Sequence, residues 1–239
     1  YAEQIPFFKL RHMVKPGVTG WAQIHIPKAT PEDSIKKLEL LDRETFEKSI
    51  DFKLKKRNVL ITYHPVTLEK EAPIQTFENI LQALDELSGI GLIFTHANSD
   101  KSGRVINKMI TEYVEIHRDK AVAFKSLGQL RYLSALQFVD FVIGNSSSGI
   151  LEVPAFHIPS INIGDRQKGR INCESVINST NSLEDIKKSI TFALDKQFRE
   201  TIQQQEMLYG NGTAAEKILK VIKEHTIIPL KKSFYDIGY

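Results

Sequence analysis

Cysteine is nearly absent: Cys173 is the only one in 239 residues. A lone thiol excludes an intrachain disulfide and suits a reducing cytoplasm, so Cys173 reads as a small packed residue rather than a nucleophile. Long apolar runs are missing too. No stretch approaches the length of a membrane span and no signal peptide is visible, which argues against a membrane partner. Charge of one sign is equally scarce. The formal net charge is +3 and the lysine-rich stretches are scattered, so nothing calls for nucleic acid. There is no internal repeat and no low-complexity tract. What remains is a globular composition, 41% hydrophobic and 26% charged, able to bury a sizeable core in one or two domains. The sequence starts at Tyr1, without a methionine and already in mid-pattern, and so reads as a fragment.

What is present is concentrated in Gly144-Asn145-Ser146-Ser147-Ser148-Gly149-Ile150-Leu151-Glu152, followed by Gly164-Asp165-Arg166-Gln167-Lys168-Gly169-Arg170. An apolar run ends in small polar residues, and a helix opens near Ser148. Strand, tight turn and helix N-terminus together favour a phosphate, through unpaired N–H groups and the helix dipole. The hydroxyls of Ser146, Ser147 and Ser148 add donors beside Gly149. Glu152, one turn in, lies on the face of Ser148 and can reach a group bound at the mouth, where a carboxylate suits ribose hydroxyls. Arg166 and Arg170 offer charge-assisted bonds to a diphosphate. Taken alone, the serines are also ordinary loop and N-cap residues.

Short β-rich runs alternate with helical periods from about Asn58 onward. Strands are expected at 59–63, 91–95, 121–124, 141–144 and 160–163, with a weaker one at 175–177. Helical stripes run through Ile74, Phe77, Leu81 and Leu84, and through Val105, Met109, Ile110 and Val114. This alternation predicts an α/β fold, a Rossmann-like parallel sheet with helices on both faces. Ligands of such sheets bind at the carboxyl ends of the strands, where Tyr63-His64, Thr95-His96, Gly144-Asn145 and Gly164-Asp165 fall. Ser182 should cap a helix running to about Leu194, a second helix should span 197–207, and Thr213 should cap a last one reaching about His225. The tail from 226 to 239 reads as loosely ordered. His96, His117 and His157 show no metal-ligand spacing and are expected to be structural, so no metal and no cofactor is implied.

In order and spacing, Tyr63-His64-Pro65-Val66-Thr67, Ala97-Asn98-Ser99-Asp100, the serine motif and Asn162-Ile163-Gly164-Asp165-Arg166-Gln167-Lys168-Gly169-Arg170 resemble the UDP-N-acetylglucosamine 2-epimerase family, closest to its hydrolysing branch. The likeness covers residues 35–223. It implies the C-terminal half of a glycosyltransferase-B-type fold, with a UDP-sugar in the cleft. It further implies that Ser146 and Ser147 hold the diphosphate, Glu152 the ribose, and Arg166 a phosphate. His64 would stand near diphosphate and sugar as the catalytic candidate, and Asn98 would line the uridine pocket. On the residues alone, His64 can donate to a leaving phosphate oxygen or be held in a turn by Pro65, and Asn98 can equally cap a helix starting near Ser99. The family activity turns UDP-N-acetylglucosamine into N-acetylmannosamine and UDP, for sialic-acid-type sugar synthesis. Its acid–base carboxylates belong to an N-terminal domain that this sequence does not contain.

Residues 8–23 are different. Phe8-Lys9-Leu10-Arg11-His12-Met13-Val14-Lys15-Pro16-Gly17-Val18-Thr19-Gly20-Trp21-Ala22-Gln23 resembles the C-terminal part of bacterial polyprenyl-phosphate sugar-phosphate transferases, with a likeness reaching about Leu40. The expected organisation is therefore a fragment at 1–40, a UDP-sugar-binding domain at 41–225 and a tail at 226–239, with a join near Ile35–Leu38. The alternatives are a catalytically inactive nucleotide-sugar-binding module from a fused or truncated gene, and a glycosyltransferase of the same architecture. An initiating sugar-phosphate transferase would need a membrane association that the sequence does not provide. A homo-oligomer is compatible with the sequence but not specified by it.

Overall fold

The computed structural model describes residues 35, 38–66, 73–98, 101–205, 208 and 214–224. Six strands form one sheet: β1 (Arg57–Thr62), β2 (Ile90–Thr95), β3 (Ala121–Phe124), β4 (Phe141–Gly144), β5 (Ser160–Ile163) and β6 (Val176–Ser179). Their order is β3-β2-β1-β4-β5-β6 and every pairing is parallel, the arrangement of a Rossmann sheet. Chain direction across the sheet reverses between β1 and β4, which opens a crevice at their carboxyl ends. Three of the expected strands match to the residue. β1 starts two residues early and stops at Thr62, β2 gains Ile90, and β6 sits one to two residues later than 175–177.

Strand side chains alternate between two cores, as the period of two requires. Val59 and Ile61 of β1, Leu92 and Phe94 of β2, and Phe141 and Ile143 of β4 face one way. They meet α2 (Pro73–Asp85), α3 (Lys101–Ile116) and α6 (Leu183–Ala193) through Phe77, Ile80, Leu84, Ile106, Ile110, Ile186 and Ile190. Leu60, Ile93 and Val142 face the other way, onto α1 (Arg43–Ile50) and α4 (Gly128–Ala135) through Phe46, Ile50, Leu133 and Ala135. Burial on both faces explains why these strands read as continuous apolar runs. Ile35, Leu38, Leu40 and Leu41 already pack on the second core, and the Leu41 N–H donates to Ser134 Oγ at 2.9 Å.

The helical stripes hold in part: Leu81, Met109 and Val114 pack partly buried against the first core, and the fully buried lines are turned slightly from the expected ones. In α2 the buried line is Phe77, Ile80, Ala83 and Leu84, with Ile74 exposed. In α3 it is Ile106, Ile110 and Tyr113, with Val105 exposed. The rotation of α3 follows from Asn107, whose amide accepts from the Ala97 N–H at 2.7 Å and donates to the Ala97 carbonyl at 3.1 Å. Once Asn107 faces the loop after β2, its neighbour Ile106 must face the core.

Ser182 caps α6 as expected, its Oγ accepting from the Asp185 N–H at 3.2 Å. The helix expected at 197–207 is shorter. It runs as α7 (Lys196–Thr201), capped by Asp195, and tightens into a 3-10 turn at Ile202–Gln204. A last helix, α8 (Ala214–Glu224), lies where one was expected. The expectations placed on residues 8–23, Thr67, Ser99, Asp100, Met207, 209–213, His225 and 226–239 lie outside the described residues. Among the described residues, no helix is long and apolar enough to cross a membrane.

Candidate functional site

The crevice between β1 and β4 is tied together by one side chain. Asn145, fully buried just after β4, accepts from the His64 N–H and donates to the His64 carbonyl, each at 2.7 Å. An amide matches a peptide unit only in this orientation; flipped, it would set donor against donor and acceptor against acceptor. The Asn145 N–H donates to the Thr62 carbonyl at 3.1 Å. Its carbonyl takes two donors from the loop after β5, Arg166 Nη1 at 2.9 Å and Gln167 Nε2 at 2.8 Å. Three strand-end loops therefore converge on one residue.

The chain can make this approach because residue 144 is glycine. Its φ is +145°, and a Cβ there would stand 1.9 Å from the Thr62 carbonyl oxygen. Beyond it the chain turns into α5 (Ser148–Leu151). This is a single turn, not the longer helix expected, and it passes directly into a 3-10 turn at Val153–Phe156. Pro154 is the cause: it has no N–H for the helical ladder and disfavours α geometry in the residue before it. With so short a helix the macrodipole contributes little. Backbone donors remain open here, because among the described residues no acceptor takes the N–H of Ser146 or Ser147.

Beside this loop is a cavity of about 390 Å³, lined by residues from four strand ends. Thr62 ends β1 and His64 follows it, Thr95 ends β2 and His96 follows it, Lys125 to Gln129 follow β3, and Ser148 and Glu152 follow β4, with Tyr132 and Leu133 of α4 closing one side. The floor is pinned by the hydroxyls of Thr62 and Thr95, 2.7 Å apart. On the wall, the hydroxyls of Tyr132 and Ser148 are 2.5 Å apart. Burial, helped by the charge of Lys125, lowers the pKa of His96, which favours its neutral form. Burial also raises the Tyr132 hydroxyl above its usual range, the bond to Ser148 opposing and the charge of Glu152 adding.

Of the expected site residues, His64, Ser148 and Glu152 line this cavity. Ser146 and Gly149 lie behind the loop, around a water-sized space shared with Thr62, Gly144, Ser160 and Asn162. Ser147 precedes α5 without a side-chain capping bond. Arg166 is exposed and braces Asn145, and Arg170 is half-buried further along the same loop; neither lines the cavity. Asn98 is exposed and does not line the cavity. His96, expected to be structural, stands in the cavity wall instead; the parallel register that sets Thr62 beside Thr95 brings the two histidine-bearing loops together. His117 packs its ring against Tyr113, and His157 turns the chain after the 3-10 turn with φ +52°, both away from the cavity. Asn145, Lys125 and Tyr132 carried no expected role. Their partners are remote in sequence, and only the Gly-Asn step at a strand end could have signalled the first.

The family profile described as UDP-N-acetylglucosamine 2-epimerase matches residues 23–223. A Campylobacter jejuni protein named GDP/UDP-N,N'-diacetylbacillosamine 2-epimerase (hydrolyzing) is 37% identical over 205 residues, 85% of this chain and 53% of that protein. The Escherichia coli polysialic acid biosynthesis protein P7 is 30% identical over 190 residues, covering 77% and 47%. In fold, the chain resembles the Neisseria meningitidis UDP-GlcNAc 2-epimerase solved with UDP-GlcNAc, with a TM-score of 0.59 at 14% identity over 82% of this chain and 52% of that one. The chain spans about half the length of the curated relatives it matches. Its sheet is Rossmann-like and of the glycosyltransferase-B type. With the profile covering most of the sequence, the chain belongs to the UDP-N-acetylglucosamine 2-epimerase family.

Proposed function

We propose that this chain is the UDP-binding half of a hydrolysing UDP-N-acetylglucosamine 2-epimerase, which converts UDP-N-acetylglucosamine to N-acetylmannosamine and UDP. The observation that carries the reading is the meeting of His64, Ser148 and Glu152 around one cavity at the β1/β4 switch point, where ligands of such sheets bind. About 390 Å³ lies within the ordinary range for small-ligand sites, roughly 300–1,000 Å³. The free N–H groups of Ser146 and Ser147, and the guanidinium of Arg166 that reaches the same loop through Asn145, suit the diphosphate. Glu152 suits the ribose hydroxyls. Arg170 and Asn98 both lie outside the cavity lining; Arg170 is assigned by its charge on the loop after β5 and Asn98 by resemblance alone.

The reaction eliminates UDP across C1–C2: a base removes the C2 proton, the C1–O bond breaks, and UDP departs with the electron pair. Water then adds to the unsaturated sugar to give N-acetylmannosamine. Negative charge grows on the diphosphate as the bond breaks, so donors fixed in advance stabilise the transition state more than the ground state. His64, held by Asn145, is placed to donate to the leaving oxygen. Glu152 is the one carboxylate among the described cavity residues, and its place is with the ribose. In this reading the acid–base carboxylates for C2 are not among the described cavity residues. That favours nucleotide binding without turnover by the chain alone, in the cytoplasm where UDP-sugars are used.

The test is a calorimetric titration of the 239-residue chain with UDP, together with a thermal melt with and without ligand. Saturable binding and a raised melting temperature support the reading, because a ligand that binds only the native state stabilises it. A cooperative melt that UDP does not move would overturn it.

A further inference from the structure

Tyr132 on α4 and Ser148 at the start of α5 bring their hydroxyl oxygens to 2.5 Å on the cavity wall. Chemistry decides which one donates. The distance alone allows either hydroxyl to donate; a phenol is the more acidic and its lone pairs are partly drawn into the ring, so Tyr132 is taken as the donor. Burial keeps the Tyr132 proton in place through the neutral range, although the bond to Ser148 works against this. With that proton directed at Ser148 Oγ, one lone pair of Ser148 is occupied and its own hydrogen must point elsewhere. Among the described residues, Tyr132 is the one hydrogen-bond partner of the Ser148 side chain; Ser148 and Glu152 are joined only through the backbone, the Glu152 N–H donating to the Ser148 carbonyl. The open direction is the cavity.

We infer that Tyr132 is a positioning residue that holds the Ser148 hydroxyl as a one-way donor into the cavity, where it binds an anionic oxygen of the diphosphate and so favours charged nucleotides over the uncharged nucleoside. The inference rests on the nucleotide reading above. It differs from a general packing role for Tyr132 in predicting a dependence on ligand charge. A packing residue would affect UDP and uridine alike, whereas an oriented donor affects only the ligand that carries the phosphates.

The experiment titrates the full chain with UDP and with uridine, comparing the unsubstituted protein with Tyr132→Phe, Ser148→Ala and the double variant. Tyr132→Phe retains the ring and removes only the hydroxyl. UDP affinity should fall about tenfold, the scale of one hydrogen bond to a charged group, while uridine affinity stays within about twofold. Ser148→Ala should give a similar loss, and the double variant should be no weaker than Ser148→Ala, since both changes remove one coupled device. Equal losses for UDP and uridine, or losses that multiply in the double variant, would overturn the inference while leaving the nucleotide reading intact. Failure of the unsubstituted chain to bind UDP would overturn both.

Discussion

Asn145 and His64, 81 positions apart in sequence, exchange two hydrogen bonds of 2.7 Å that join the loop after β4 to the loop after β1. Because Asn145 is fully buried, no water can replace either partner. The clamp places the candidate catalytic histidine relative to the serine loop, so its loss should cost both stability and binding. Asn145→Asp keeps the shape but turns the donor toward the His64 carbonyl into an acceptor. We expect a loss of about 2–3 kcal/mol, the scale of a buried group left unsatisfied, with UDP affinity falling as well. A thermal melt unchanged from the parent would show that the clamp does not organise the site.

Arg166 separates bracing from binding. Its guanidinium donates one nitrogen to the Asn145 carbonyl, which Gln167 also serves, so Arg166→Ala leaves that carbonyl satisfied. Stability should therefore hold while UDP binding weakens by roughly 1–3 kcal/mol, as for a lost charged hydrogen bond. Glu152→Ala should have an effect of the same size by removing an acceptor for the ribose. Calorimetric titration of both variants checks the assignment, and unchanged affinity in both would remove these residues from the site.

Much of this architecture was legible in the sequence, and what was not has a common cause. Strands buried on both faces announce themselves as apolar runs, and the turn residues that bound them fix their ends, as at Ala121–Phe124 and Phe141–Gly144. The convergence of four loops followed from the strands being parallel. The rotation of α3 did not, because it is set by Asn107 reaching back to Ala97. The brevity of α5 was written in Pro154 but masked by the helical look of Gly149-Ile150-Leu151-Glu152. His96, Lys125 and Tyr132 reach the cavity through the register of β1, β2 and β3, which local pattern does not specify. Side chains whose partners lie far along the chain leave no periodic trace.

A second cluster, away from the cavity, predicts an acid-sensitive contribution to stability. Asp85 accepts from the Tyr113 hydroxyl at 2.5 Å and from Lys120 Nζ at 2.7 Å. Partial burial pulls its pKa upward, but the bonds from Lys120 and Tyr113 outweigh this and leave it below the ordinary value. A carboxyl lowered in the folded state contributes stability that is fully present above its unfolded pKa, near 4, and lost as pH falls through the folded value. Melting temperatures of the parent and Asp85→Asn should therefore differ most near neutral pH and converge as the pH falls through the lowered folded value of Asp85. A gap that stays constant across the acid range would mean that the cluster acts through packing alone.

Gly144 sets the hardest limit on sequence at the site. A methyl group there would stand 1.9 Å from the Thr62 carbonyl oxygen, and φ +145° is a backbone conformation that side-chain-bearing residues rarely adopt. The neighbour cannot yield, because Thr62 is a strand residue whose carbonyl accepts from Asn145, and its hydroxyl is tied to Thr95. Relief would have to come from shifting β4 against β1, which would pull Asn145 off His64. Gly144→Ala should thus cost more than about 3 kcal/mol, in the range that marks backbone strain together with a broken buried network. Soluble yield and a chemical denaturation curve are the measurements. A folded Gly144→Ala protein with parental stability would mean that the close approach of β4 to β1 is not required.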